Sequence, residues 1–308
     1  MFIKYLIICI STIIYTQSTI ADFSIKKIYN SVVPHKKQQE VIFEEYEPKN
    51  TSICSIKNKR GNILVKTTPT QQNISVKAIK KADEPEELIK LTFEQKNNGQ
   101  ECIVESNYDD RKIDGSIDFE IIVPQKMGLN IQANQGNVVI KDAHSPIRAI
   151  TQKGQIDIIN AHNAVDAKTT QKGSIVFRKP NSRINAQTNS GDITIFDAQD
   201  SVIANTNHGT IEMFSRKVPS TSTIKLSSVT GSIKLHLPSD VNADIQANTQ
   251  RGTVISEHFI TLKPCTTQLN KNAWKRFQKQ IDGILGTGEA QIKLSSVRSD
   301  IKLLEMKA

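Results

Sequence analysis

Aromatic side chains are scarce in this sequence, at 5% of 308 residues with a single Trp. Its core must therefore be built from aliphatic residues, and the abundance of Ile, Val, Thr, Asn and Gln leans towards strands. Cysteine is also sparse: Cys9, Cys54, Cys102 and Cys265, with no CxxC pair. That excludes a zinc ribbon or a thioredoxin-type redox motif. Beyond the first twenty residues no apolar run is long enough to span a bilayer. No Ser–His–Asp or Cys–His set stands out. Gly283, Gly286 and Gly288 lack the strand–loop–helix context of a nucleotide loop. Acidic residues are outnumbered by basic ones, 31 against 40, for a net charge of +9.

What is present begins with an export signal. Lys4, an apolar run from Tyr5 to Tyr15, and Thr19 and Ala21 before a cut form the three parts of a secretory signal peptide over residues 1–21. The expectation is a mature protein without a transmembrane span, located in the periplasm, at the cell surface or secreted. A basic surface outside the cytoplasm attracts anionic polymers, although the same charge also serves solubility. Export permits disulfides, and Cys54 and Cys102, both in strand-like runs, are the candidate pair.

The main signal is an internal repeat. Glycine recurs at 136, 154, 173, 191, 209, 231 and 252, with gaps of 18, 19, 18, 18, 22 and 21 residues. A small or polar residue follows each, then an aliphatic–any–apolar triplet, as in Gly154-Gln-Ile-Asp-Ile and Gly191-Asp-Ile-Thr-Ile. A last copy, Ser299-Asp-Ile-Lys-Leu, has serine at the corner. Seven and five residues before the corner, apolar residues recur, for example Ile184 with Ala186 and Val202 with Ala204. Side chains alternate along a strand, so positions −7, −5, +2 and +4 share one face. Each unit is two short strands around a glycine corner. The Asx residues of Asp142-Ala-His-Ser, Asn160-Ala-His-Asn and Asp197-Ala-Gln-Asp mark the second corner.

These features predict an all-β fold: a single-stranded parallel β-helix, or solenoid, with rungs of about 18–22 residues. A meander of hairpins is the alternative. Residues 22–120 are expected to form an N-terminal lead and β-rich cap, with strands near 62–67, 73–79, 88–95 and 101–105. Residues 121–308 form the solenoid. A short helical insertion is expected near 270–285, where Trp274, Phe277, Ile281 and Ile284 have helical spacing.

Gly283-Ile-Leu-Gly286-Thr-Gly288, Ile292-Lys-Leu-Ser-Ser and Ser299-Asp-Ile-Lys-Leu together resemble the closing signature of the bacterial putative-adhesin β-strand-repeat domains, a family of unknown function. Val123-Pro124, leading to Gly136-Asn-Val-Val-Ile, resembles its middle segment. The resemblance spans about residues 55–308 and implies a β-helix at the cell envelope, with no catalytic residues or cofactor to carry over. Ser299 departs from the family's usual glycine.

Candidate sites follow from the register. Immediately before the corners stand Lys153, Lys172, His208, Arg251 and Arg298, a basic ridge suited to an anionic glycan, lipopolysaccharide or another host or envelope surface component, or else a solvated edge. No specific nucleic-acid binding is expected. Three residues before the corners, Thr151, Thr170, Thr188, Thr206, Ser228, Thr249 and Ser296 predict a hydroxyl ladder bonding corner backbone. His144 and His162 should sit one rung apart, without an obvious metal set. A polysaccharide lyase or hydrolase is the enzymatic alternative, but Asp157, Asp192 and Glu212 do not converge.

Overall fold

The computed structural model describes residues 38–48, 51–263 and 278–306. The expected signal segment, Cys9, Cys265, Trp274 and Phe277 lie outside these residues.

The chain forms two large, mostly parallel sheets of 12 and 13 strands. Each repeat unit gives one strand to each sheet. Ile147–Lys153 enters the 13-stranded sheet, the chain turns at Gly154, and Ile156–Ile159 enters the 12-stranded sheet. Successive units then stack in register. Leu129, Ile147, Val165, Ile184, Val202 and Ile224 are consecutive parallel partners in one sheet. Val138, Ile156, Ile175, Ile193, Ile211 and Ile233 are consecutive partners in the other. A hairpin would pair the two strands of one unit with each other. Here they lie in different sheets, so the meander alternative fails.

Alternation decides what is buried. In Ile147–Lys153 the side chains of Ile147, Ala149 and Thr151 point inward, while Arg148 and Gln152 are exposed. In Ile156–Ile159, Ile156 and Ile158 are buried. The core is the aliphatic layer between the two sheets. Each large inward side chain is worth ~1.5–3 kcal/mol gross, much of it offset by the entropy of ordering the chain.

The corners have their own chemistry. Gly154 has φ +136°, and a β-carbon on it would lie 2.1 Å from the Gly136 carbonyl oxygen. The same approach recurs up the column, so corner glycines are needed to let backbone pass against backbone. The second corner turns through the left-handed region without glycine, at Asp142, Asn160, Lys179 and Asp197, with φ between 53° and 58°. Asx side chains tolerate this conformation; Lys179 is the exception in the column.

Both ends depart from simple stacking in sequence order. At one end, Ile53–Arg60 and Ile63–Thr68 lie between the later strands of 101–124 and 128–141. At the other, the final unit, Ala290–Ser296 and Ile301–Glu305, inserts between 223–237 and 243–256. Antiparallel strands then cover the outer units: Phe93–Asn97, Ile74–Ala82 and Gln38–Tyr46 at the first end, Gln280–Leu285 at the second. Such strands shield the sheet edges from open-ended pairing.

Two local expectations are corrected. Pro85–Lys90 is a short α-helix, and the strand that follows is only Phe93–Asn97, so no strand runs through 88–95. Proline at the first turn and acidic Glu86 and Glu87 suit a helix start. The helical spacing near 270–285 also misleads. Its described part, Gln280–Leu285, is a strand whose Ile281 and Gly283 partner Ala247 and Ile245. The available edge of Ala243–Thr249 overrides the local pattern. Among the described residues, no helix is long and apolar enough to cross a membrane.

Candidate functional site

From Gly154 to Gly231 the residue before the corner ends a strand of the 13-stranded sheet. Lys153 and Lys172 are register partners, followed by Ser190, His208 and Thr230 in the same column. Arg298 and Arg251 reach the corner on the stacked C-terminal units, their amides bonding the Val229 and Val297 carbonyls. All five basic residues are exposed. None of the four Lys and Arg side chains makes an ion pair or hydrogen bond with a described residue. Ser190 and Thr230 interrupt this column, and Arg251 and Arg298 lie just past the ends of their strands.

The hydroxyl ladder is internal. Thr188 Oγ1 donates to the Gly173 carbonyl at 3.0 Å, Thr206 to Gly191 at 3.2 Å, Ser228 to Gly209 at 3.2 Å and Thr249 to Ser299 at 2.9 Å. One member is corrected. Thr169, not Thr170, partners Thr151 and Thr188, is buried, and donates to Gly173 at 3.0 Å. Thr170 is exposed because the extra residue of this unit bulges after Thr169 rather than before it. Most of these hydroxyls tie corner carbonyls; the Ser296 hydroxyl instead accepts from the Ser299 amide at 3.1 Å, and the buried Thr151 hydroxyl has no partner among the described residues.

At several units the residue after the glycine forms a second ladder, exposed at the surface. The Asn62 Oδ1 accepts from the Asn137 amide at 3.0 Å, Asn137 from Gln155 at 2.9 Å, and Asp192 from Thr210 at 2.7 Å. Asp192 is therefore a structural acceptor. Asp157 faces Arg178 at 3.4 Å, and Glu212 contacts His236 at 3.1 Å and Lys234 at 3.6 Å. Asp157 and Glu212 are three strands apart, roughly 14 Å. The three carboxylates are thus separately engaged, and Asp157 and Glu212 stand beyond the working distance of a glycosidase pair.

His144 and His162 do stack one unit apart, with ring centroids 4.1 Å apart and planes 13° from parallel. Asn181 lies 3.1 Å from His162 Nδ1. No group of three metal-ligating side chains occurs among the described residues. Cys54 and Cys102 are direct cross-strand partners, and both are buried free thiols. Burial pushes both thiols above their ordinary value; at Cys54 the neighbouring Cys102 adds to the shift.

Two outward columns escaped the sequence reading. On the 12-stranded sheet Phe196, Phe214 and His236 stack, with centroids 5.1 and 4.2 Å apart, and Arg178 caps Phe196 at 5.6 Å. They share the fifth position after the corner, which was the available signal. On the 13-stranded sheet Lys225 and Lys293 are register partners, both six residues before a corner. Nearby Asn205, Ser227, Ser295 and Asn248 line the same face.

No family model matches this chain, and no curated protein matches it. Solved structures do match it, among them the following two. One is a putative cell adhesion protein from Clostridium sporogenes, 10% identical, covering 88% of this chain and 100% of its own, with a TM-score of 0.25. The other is a putative adhesin from Bacteroides fragilis, 12% identical, covering 87% of this chain and 97% of its own, with a TM-score of 0.44.

Proposed function

We propose that this chain is a non-enzymatic, exported protein of adhesin or scaffold type at the bacterial cell envelope or surface, which holds anionic polymers along the basic ridge beside the glycine corners. The observation that carries the reading is the direct pairing of exposed Lys153 with exposed Lys172 on adjacent strands. Like charges placed opposite each other in a sheet are unfavourable. No acidic side chain among the described residues neutralises them, so a polymer bearing closely spaced anions is their natural counterion. The parallel stacking of units supports the reading, since it repeats the edge along one axis at ~4.8 Å per unit. Export rests on the signal pattern of residues 1–21.

The test has two parts. Fractionation with surface proteolysis should recover the mature chain outside the cytoplasm and, for adhesion, protease-accessible. The purified protein should bind lipopolysaccharide or heparin at low salt and release it as salt rises, because charge contacts are screened. Lys153→Gln with Lys172→Gln should weaken that binding. A cytoplasmic chain, or one that ignores both polymers at low salt, overturns the reading.

A further inference from the structure

Two cavities open on the outer face of the 13-stranded sheet, about 500 and 470 Å³, and Asn205 lines both. They form one trough across seven adjacent strands, from Val165–Lys172 to Gln280–Leu285. Six strand spacings make it roughly 29 Å long. It runs across the strands, parallel to the stacking axis and beside the ridge.

Part of the polar lining has internal partners: Asn207 donates to Asn189 at 2.9 Å and Thr170 to the Thr151 carbonyl at 3.5 Å. Lys168, Gln187, Asn205, Lys225, Ser227, Gln246, Asn248, Lys293 and Ser295 face it, and none makes a side-chain hydrogen bond or ion pair with a described residue. The contrast with the opposite sheet is plain. There Asp157 engages Arg178, Glu212 engages Lys234 and His236, and Lys77 engages Glu120 at 3.0 Å. A polar side chain that is unpaired within a concave face is available to a ligand.

The chemistry of the lining restricts that ligand. Amides and hydroxyls dominate, groups that both donate and accept and so match the hydroxyls of a sugar. Lys225 and Lys293 are register partners six residues before Gly231 and Ser299, and Lys168 adds a third cation. Asp282 is the one carboxylate lining either cavity among the described residues, and Lys263 lies 3.3 Å from it. Aromatic rings are absent from the lining, whereas binding of single-stranded nucleic acid uses aromatic platforms for base stacking.

We infer that the outer face of the 13-stranded sheet is a binding trough for a linear uronic-acid polysaccharide laid along the stacking axis, with the Lys225–Lys293 pair holding a carboxylate and the amides of Asn205 and Asn248 bonding sugar hydroxyls. This site is separate from the ridge and does not depend on it.

Titration of the mature full-length chain with polygalacturonate tests the trough, with dextran as the neutral glycan and single-stranded DNA as the non-sugar polyanion. Lys225→Gln with Lys293→Gln should weaken polygalacturonate binding at least tenfold. Asn205→Ala with Asn248→Ala should weaken it at least fivefold while leaving its salt dependence unchanged. Circular dichroism and melting confirm that these outward substitutions leave the fold intact. Binding lost only in the Lys153→Gln, Lys172→Gln variant would keep the ridge and remove the trough. Binding lost only in the trough variants would do the reverse. Absence of polygalacturonate binding at low salt, or polygalacturonate binding that the amide variants leave unchanged and that DNA matches in tightness, overturns the inference.

Discussion

The Ser299 hydroxyl accepts a hydrogen bond from the Gly231 amide at 3.1 Å. At the corners from Gly61 to Gly209 the glycine amide donates instead to a backbone carbonyl of the adjoining unit, as Gly154 does to Lys172 at 3.1 Å. The one serine in the glycine column therefore supplies through its side chain the acceptor that backbone supplies at those corners. Ser299→Ala should leave that amide without its partner and cost ~1–3 kcal/mol, read as a lowered midpoint of urea unfolding. An unchanged midpoint would show that the corner has another acceptor.

Gly209→Ala should be more damaging. Its φ is +154°, and the added β-carbon would sit 2.1 Å from the Gly191 carbonyl oxygen. Backbone, not a movable side chain, stands in the way. A loss of about 3 kcal/mol or more is expected, with neighbouring units splayed. Gly99→Ala is the control: its β-carbon meets nothing within 4 Å, although φ is +84°, so only backbone strain should register.

Thr188→Val and Thr170→Val separate the buried ladder from its exposed neighbour. Thr188 bonds the Gly173 carbonyl at 3.0 Å and Thr169 at 2.5 Å, and its loss should cost ~1–3 kcal/mol. Thr170 is exposed, and its replacement should stay within about 0.5 kcal/mol. Thermal unfolding of the two variants decides whether the bulge follows Thr169. Equal losses would put it elsewhere.

Cys54 and Cys102 make stability fall in alkali. Burial raises both thiols in the folded state. A raised folded value means that their contribution is complete below the ordinary thiol value of 9.0 and is lost as pH climbs above it towards the folded value, because the unfolded chain releases its protons first. Melting temperature should decline above about pH 9, and Cys54→Val should flatten that decline. Native Cys54 should also resist alkylation at pH 8, since the thiolate is the reactive form. Rapid labelling of Cys54 in folded protein would contradict its burial.

Lys225→Gln should slightly stabilise the protein. Lys225 and Lys293 are opposite each other on adjacent strands, and like charges so placed cost about 0.2–1 kcal/mol. The gain should shrink in high salt as the repulsion is screened. Guanidinium is itself a salt, so urea unfolding at two sodium chloride concentrations is the appropriate measurement. A gain that does not depend on salt would have a non-electrostatic cause.

Much of the pattern was legible in the chain. The inward residues Ile147, Ala149, Ile156 and Ile158 follow from alternation about Gly154, because strand geometry is local and has a period of two. The one-unit spacing of His144 and His162 follows from the same arithmetic. The inserted residue near Thr169 and Thr170 did not, because either hydroxyl satisfies the pattern and only pairing with Thr151 and Thr188 chooses between them. The apolar spacing of Ile281 and Ile284 suggested a helix, but Gln280–Leu285 lies along the edge of Ala243–Thr249, where a strand satisfies both backbones.

The sequence by itself determined the repeat, its glycine corners, and which side of each strand faces the core. These depend on alternation and on the steric freedom of glycine, properties a segment carries alone. Tertiary structure decided which unit stacks on which: the 290–305 unit lies between 223–237 and 243–256, against chain order. It also decided which polar residues remain unpaired. Asn205, Lys225 and Lys293 look like any outward residues in the chain, and only the lateral neighbours brought by stacking reveal that none of them answers another.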